Sequence, residues 1–206
     1  IKAQWDLVVR LKRELNQGKS ARDVVTDDRE KELIKNLHLL TMKPVLYILN
    51  VSEQELNNAP LPPLMKKGEG ELQEDYVVIS AKIEAELAGL SEADQKEYLK
   101  SLGLEKSGLE RLIQKAYAKL GLISFLTGGE LEARAWTIKS GTKAPQAAGE
   151  IHTDFAKGFI KVEVVDYTTF VKLGGWQKAR ELGKVRFEGK EYIMQDGDVV
   201  DFKVNT

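Results

Sequence analysis

Two short polar signatures carry the chemistry legible in this chain, and each directly follows an apolar run. The first is Asn50-Val51-Ser52-Glu53, after Val45-Leu46-Tyr47-Ile48-Leu49. The second is Ser80-Ala81-Lys82, after Tyr76-Val77-Val78-Ile79. An amide both donates and accepts hydrogen bonds while a carboxylate only accepts, so Asn50 with Glu53 can read the polar edge of a ligand. The runs before them lack polar alternation and are rich in β-branched and aromatic residues. They predict strands buried on both faces, as in parallel sheets flanked by helices. In open α/β sheets ligands bind at the carboxyl ends of the strands, where both signatures fall. The competing reading is that Asn50 and Ser52 form a turn and cap a short helix.

Other chemistries find little support. Cysteine is absent, and His38 and His152 stand far apart without a second His or a placed carboxylate. No nucleophile and base, no metal set and no catalytic residue is therefore assigned. Gly18-Lys19-Ser20 looks like the end of a phosphate loop, but Arg13 stands where that motif needs Gly, and a helix precedes it where the motif needs a strand. Hydrolysis of a nucleoside triphosphate also requires a hydroxyl and an Asp for Mg²⁺. The sequence has no Gly-x-x-x-x-Gly-Lys-Ser/Thr, and no Asp is followed three positions later by Gly.

The paired signatures resemble the base-binding end of a P-loop GTPase-type domain, which reads guanine with Asn-Lys-x-Asp backed by a Ser-Ala-Lys loop. Here Val51 replaces the Lys and Glu53 the Asp. The Asp carboxylate of that motif accepts from the guanine ring N–H and amine, whereas adenine presents a bare ring nitrogen there, so a carboxylate facing it would be left unpaired. The substitutions imply that guanine selection is lost and adenine admitted, with Asn50 on the purine N7 side and Val51 against the ring. This Asn-x-x-Glu variant, with Ser80-Ala81-Lys82-Ile83-Glu84-Ala85-Glu86-Leu87, resembles the YchF family of Obg-like ATPases. The resemblance implies that Asn50, Val51, Glu53, Ser80, Ala81 and Lys82 contact the base. It further implies ATP, also GTP, with Mg²⁺ in the intact protein, and no nucleotide hydrolysis by this chain alone.

Helical spacing of Trp5, Val8, Val9, Leu11 and Leu15 predicts an amphipathic helix over 1–17, stopped at Gly18. It is similar to the returning arm of the helical hairpin in YchF relatives. Asp27 or Asp28 is expected to cap a helix through Leu33, Ile34, Leu37 and Leu40 that covers one sheet face. Pro60, Pro62 and Pro63 predict a rigid connection, and 64–72 a short helix and turn. Ser91 with Asp94 opens a helix closed by Gly103, and Ser107 caps another that ends at Gly121. The change from helical period to short strands there predicts a boundary, giving an arm (1–22), the end of a nucleotide-binding domain (23–121) and a third module (122–206).

In that module the pattern is strand, strand, helix, strand, helix, strand, strand. A helix is expected from Pro145 to Phe155, with His152 in a cap or loop role. Arg134-Ala135-Trp136-Thr137-Ile138, Ala144-Pro145-Gln146-Ala147-Ala148-Gly149, His152-Thr153-Asp154-Phe155 and Gln195-Asp196-Gly197-Asp198-Val199 resemble the TGS domain of YchF proteins. That implies an α+β, ubiquitin-like β-grasp fold and contact with RNA or the ribosome. From 124 to 206 there are twelve basic and twelve acidic side chains, so any phosphate contact must be local: Lys139 with Lys143, or Lys178, Arg180, Lys184 and Arg186. Trp136 and Phe155 could stack on bases, but their apolar neighbours favour core packing.

The formal charge of −1 excludes a globally basic nucleic-acid coat. No apolar run reaches membrane-spanning length. Together with the lack of cysteine this gives a cytoplasmic expectation. The start at Ile1, without Met and inside a predicted helix, gives the expectation of a fragment. A second reading takes the chain as a stand-alone β-grasp module that binds RNA, the ribosome or protein, without nucleotide function.

Overall fold

The computed structural model describes residues 2–56, 76–129 and 132–205. The proline-rich connection and the 64–72 segment lie outside them. The chain divides into two compact units, Ile1–Leu109 and Glu110–Thr206.

The first unit opens with α1 (Lys2–Leu15), α2 (Ala21–Val24) and α3 (Asp28–Ile34). Gly18, at φ +83°, makes the turn after α1. The buried cluster is Leu7, Leu11, Ala21, Val25 and Ile34. Helical spacing chose a stripe rotated from this one: Leu11 is buried, but Trp5 and Val9 remain exposed. Asp27 caps α3, its side chain accepting from the Arg29 and Glu30 N–H groups. The expected longer helix does not form. After a short 3₁₀ turn over Lys35–Leu37, His38 takes a left-handed conformation at φ 46°, which no α-helix can continue through. Leu33, Leu37 and Leu40 consequently face solvent instead of covering a sheet.

Strands β1 (Tyr47–Asn50) and β2 (Tyr76–Ile79) pair in parallel, with Tyr47 opposite Tyr76 and Asn50 opposite Ile79. The parallel direction matches the sequence reading; burial on both faces does not. Val77 is buried, but Tyr47 and Ile48 are 39% and 50% exposed. Burial on two faces needs a covering layer on each, and among the described residues β1 has one partner strand and no layer over these side chains. Behind β2 come α4 (Ala81–Ala88) and α5 (Glu92–Ser101), which bury Ile83, Leu87 and Leu99 together. Ser91 caps α5 by accepting from the Asp94 N–H.

Helix α6 (Gly108–Leu120) leads into β3 (Leu122–Gly128) and β4 (Ala133–Lys139). The division between units falls in the first turn of α6, about a helix length before Gly121, where the sequence period changes. After β4 follow α7 (Ala144–Ile151), α8 (Thr153–Lys157), β5 (Phe159–Asp166), α9 (Tyr167–Leu173), α10 (Trp176–Glu181), β6 (Arg186–Glu188) and β7 (Asp198–Val204). The sheet order is β4-β3-β7-β5-β6. The β3–β7 pair is parallel and the other three are antiparallel. Ala144, Ala147 and Ala148 of α7 are fully buried with Phe125, Val162, Val164, Met194 and Val200. Small side chains let the helix lie close on the sheet.

Two predicted helices are broken. His152, extended at φ −157° and ψ 137°, ends α7 and caps α8 through Nδ1, which accepts from the Asp154 N–H at 3.3 Å. The second helix of that module, expected over 168–183, is interrupted by Gly174 and Gly175, both at positive φ. Tyr192-Ile193 forms only an isolated bridge, Lys143 to Ile193.

Buried polar groups fix the register of this unit. Asp198, 2% exposed, accepts from the Tyr192 hydroxyl at 2.7 Å, the Gln195 N–H at 2.9 Å and Arg186 at 3.4 Å. Glu163, 7% exposed, accepts from Arg180 at 2.8 Å and lies 3.8 Å from Lys203. Burial alone would push the Glu163 carboxyl up, but the Arg180 hydrogen bond and the nearby cations outweigh it and hold it below the ordinary value.

Gly158 hydrogen-bonds Asn205 through its carbonyl, and an added Cβ would collide with the Asn205 carbonyl oxygen. Gly158→Ala is expected to cost about 1–3 kcal/mol, as overpacking does, read by denaturant unfolding; an unchanged midpoint would refute this packing. Burial, then the Asp198 hydrogen bond, push the Tyr192 hydroxyl from 10.0 up to about 12. The folded value lies above the unfolded one, so this stabilisation is complete below pH 10 and is lost as pH rises through about 12. Tyr192→Phe should lower stability at pH 8 and flatten the alkaline decline. Equal slopes for both proteins between pH 10 and 12 would disprove it.

Candidate functional site

The site assembles where the parallel ladder ends. The Val51 N–H donates to the Ile79 carbonyl at 2.9 Å, extending the pairing one residue past β1. Asn50 Oδ1 then accepts from the Ala81 N–H at 3.0 Å. Ala81 is the first residue of α4, whose leading N–H groups have no partner within the helix. One amide thus ties the end of β1 to the start of the helix that follows β2.

Ser52 behaves as the capping reading expected. It caps a 3₁₀ turn over Glu53–Glu55, and Glu55 Oε2 accepts from both the Ser52 hydroxyl at 2.7 Å and the Ser52 N–H at 3.2 Å. The hydroxyl contact first, then the backbone one, hold the Glu55 carboxyl below the usual range. This box fixes the direction in which Glu53 and Gln54 leave the strand.

Asn50, Val51, Ser52, Glu53, Gln54, Ser80 and Lys82 line one hollow of about 430 Å³, of the size in which small ligands are held. Ser80 is 2% exposed, and its carbonyl accepts from the Glu84 N–H. Glu84 in turn accepts from Gly108 at 2.7 Å and Leu109 at 3.3 Å, so the Ser80 loop rests on a fixed base. Lys82 lies between two carboxylates, 3.9 Å from Glu53 and 3.8 Å from Glu86. These contacts are long and solvated, worth little in themselves. Tyr98 donates to the far side of Glu86, and that hydrogen bond, with burial and the Glu86 charge, raises its hydroxyl to about 12.

With Oδ1 engaged by Ala81, the two N–H groups of Asn50 Nδ2 are left to donate into the hollow. Glu53 supplies an acceptor, Lys82 a cation and Val51 an apolar surface. Five of the six residues named from the sequence line this space, and Ala81 contributes its backbone N–H to Asn50. Gln54 was missed: no motif marks it, and only the turn set by Ser52 and Glu55 brings it to the rim. Among the described residues no group of three or more His, Asp or Glu side chains could hold a metal ion.

The six basic residues named in the second unit do not form one cluster. Lys143 pairs with Glu191 at 2.5 Å, Arg180 with Glu163 and Asp201, and Arg186 with Asp198 and Glu188. Lys139 donates to the Leu120 carbonyl at 2.7 Å, at the carboxyl end of α6. Lys178 and Lys184 have no ion pair among the described residues. Trp136 and Phe155 both pack against the core, and the Trp136 indole N–H donates to Thr127 Oγ1 at 3.0 Å. No described helix is long and apolar enough to cross a membrane.

Comparison with known proteins places this geometry in context. Residues 122–205 match the family YchF-GTPase_C, described as "Protein of unknown function (DUF933)". A protein of Bacillus subtilis (strain 168) named "Ribosome-binding ATPase YchF" is 44% identical over 206 residues, covering 98% of this chain and 56% of its own length. One of the same name from Haemophilus influenzae is 44% identical over 184 residues, covering 89% and 51%. The solved structure of the Schizosaccharomyces pombe YchF GTPase superposes with a TM-score of 0.83 at 36% identity, covering 98% of this chain and 55% of its own. The chain therefore spans about half the length of the curated relatives it matches.

Asn50→Ala removes the acceptor for Ala81 without touching the apolar core. We expect a stability loss of about 0.5–1.5 kcal/mol, as for a lost neutral hydrogen bond, and faster amide exchange at Ala81. Unaltered Ala81 exchange would show that the amide is not the tie between β1 and α4.

Proposed function

The chain belongs to the YchF family, matching the carboxyl-terminal part of its members, and from this we propose that it carries the base-reading end of an ATP pocket and a TGS-type β-grasp module of a ribosome-associated ATPase. The observation that carries the nucleotide half is the convergence of Asn50, Val51, Glu53, Ser80 and Lys82 on one hollow at the carboxyl rim of a parallel strand pair. Asn50 Nδ2 donates to the purine N7, and Val51 lies against the ring. Lys82 stands 3.9 Å from Glu53 at the rim, so the carboxylate does not face the base alone as the Asp of a guanine-reading motif does. ATP is bound and GTP is admitted as well. In the intact protein the nucleotide carries Mg²⁺, whose role is to neutralise charge developing on the phosphates. No residue of this chain is assigned to hold the metal or the phosphates.

The sheet order β4-β3-β7-β5-β6 around α7 supports the β-grasp reading of the second unit. That relatives are named as ribosome-binding supports the ribosome as partner, and with it a cytoplasmic setting. Lys178 and Lys184 are the cations of the proposed set left free to meet phosphate.

The test is a nucleotide competition assay on the intact protein that contains these residues. Glu53→Asp with Val51→Lys restores the guanine-reading pair and should move preference toward GTP about tenfold or more, the cost of leaving a polar group unpaired against the wrong base. ATP-over-GTP selectivity that stays unchanged would overturn the assignment.

A further inference from the structure

The second unit holds a hollow of its own, about 610 Å³, at the β3–β4 hairpin end of the sheet. Trp136, Val200 and Phe202 of the sheet line it together with Ile151 and Phe155 of α7 and α8. Trp136, Ile151, Phe155 and Phe202 are half-buried residues packed on the core, so the hollow has one apolar side that the described helices leave uncovered. The Arg134 guanidinium lies 4.2 Å over the Trp136 ring and has no ion pair among the described residues. Glu132 and Asp201 complete the rim.

Beside this recess runs β4, a seven-residue strand at the edge of the sheet. Ser124, in β3, donates its N–H to Asp196 at 2.8 Å and accepts from the Gly197 N–H at 2.8 Å, so both its groups point away from β4. Ser124 faces Thr137 and Leu126 faces Ala135. Groups alternate along an antiparallel ladder, so the N–H and C=O of Ala135 and Thr137 point outward, where no backbone partner meets them among the described residues. Ala133, Ala135 and Thr137 are exposed, and two of the three are small enough for close approach of another strand. Proteins usually blunt or cover an edge of this length.

We propose that β4 is a docking edge for an extended, proline-free protein segment that adds a strand to the sheet and seats one large apolar side chain in the Trp136–Phe202 hollow. Main-chain bonds to Ala135 and Thr137 supply register, and the recess supplies selectivity, the division of labour in strand addition. Side chains of an added strand that face the core stand beside Arg134 and Trp136. RNA fits less well here. Glu132 and Asp201 put two negative charges against one guanidinium, and Arg134 already occupies one face of the indole. The inference involves the Glu110–Thr206 unit alone and stands apart from the nucleotide reading.

A random dodecapeptide display library is selected on the immobilised 206-residue chain, and the consensus peptide is titrated into the isotope-labelled chain by NMR. The expected consensus lacks proline and has one aromatic or leucine anchor. Its amide shifts should concentrate at Ala133–Thr137 and the Trp136 indole N–H. N-methylation of alternate peptide residues should weaken binding about tenfold or more. Ala135→Pro should do the same with little change in melting temperature, because the N–H it removes faces outward. The methylated peptide leaves the chain intact, so the test survives if that variant unfolds. No enrichment, shifts elsewhere, indifference to N-methylation, or a twelve-nucleotide oligouridylate that shifts these residues more tightly than the peptide would each overturn the proposal.

Discussion

The candidate site depends on one requirement, that the first N–H groups of a helix find acceptors. At α4 the acceptor for Ala81 is the side chain of Asn50, thirty-one residues earlier in the chain. Since the parallel register sets Asn50 opposite Ile79, this bond is possible only when β1 and β2 end level with each other. A slip of one residue would turn Asn50 to the other face. The hydrogen bond and the register therefore enforce one another. The hollow between the two loops is a consequence of that agreement, because Ser80 is buried beneath it while Val51 to Gln54 are carried out over it by the Ser52–Glu55 capping box.

The second unit meets the same kind of constraint differently. Its buried acids are saturated: Asp198 has three donors and Glu163 has Arg180 with Lys203 close by. Such networks fix geometry at high cost if one partner is lost. They also consume cations: Arg180 and Arg186 act as internal ties, while Lys178 and Lys184 have no ion pair among the described residues. Charge counted along a sequence overstates the charge a surface can offer.

What the sequence made legible was governed by local chemistry. The Asp27 and Ser91 caps, the Gly18 stop, the strands of the second unit apart from Tyr192-Ile193, and the cap role of His152 depend on neighbours a few residues away, and these appear in the structure. So did the paired signatures, because each sits immediately after its strand. What went astray depended on distant packing. Helical spacing put Trp5 and Val9 on the buried face and passed over Leu7, and only docking of α2 and α3 selects Leu7 and Leu11. The apolar run at Val45–Leu49 reads as doubly buried because periodicity reports hydrophobicity and not which layers are present to cover it. His38 and the Gly174-Gly175 pair end helices through backbone conformations that side-chain pattern barely registers. Gln54 belongs to no motif and reaches the rim only through the turn.

The contrast between the units bears on how a base could be bound. In the first unit the scaffold bonds are short and specific, at Asn50 to Ala81, Ser52 to Glu55 and Glu84 to Gly108, whereas the groups that face the hollow are held loosely. Lys82 stands almost 4 Å from each carboxylate, and the Nδ2 donors of Asn50 have no protein partner among the described residues. A ligand entering there would exchange water and weak ion pairs for its own contacts without breaking the bonds that keep the loops in place. Rigid support beneath loosely engaged donors lowers the ordering cost of binding. The loops are thus organised by bonds that a planar, polar-edged ligand would not have to displace.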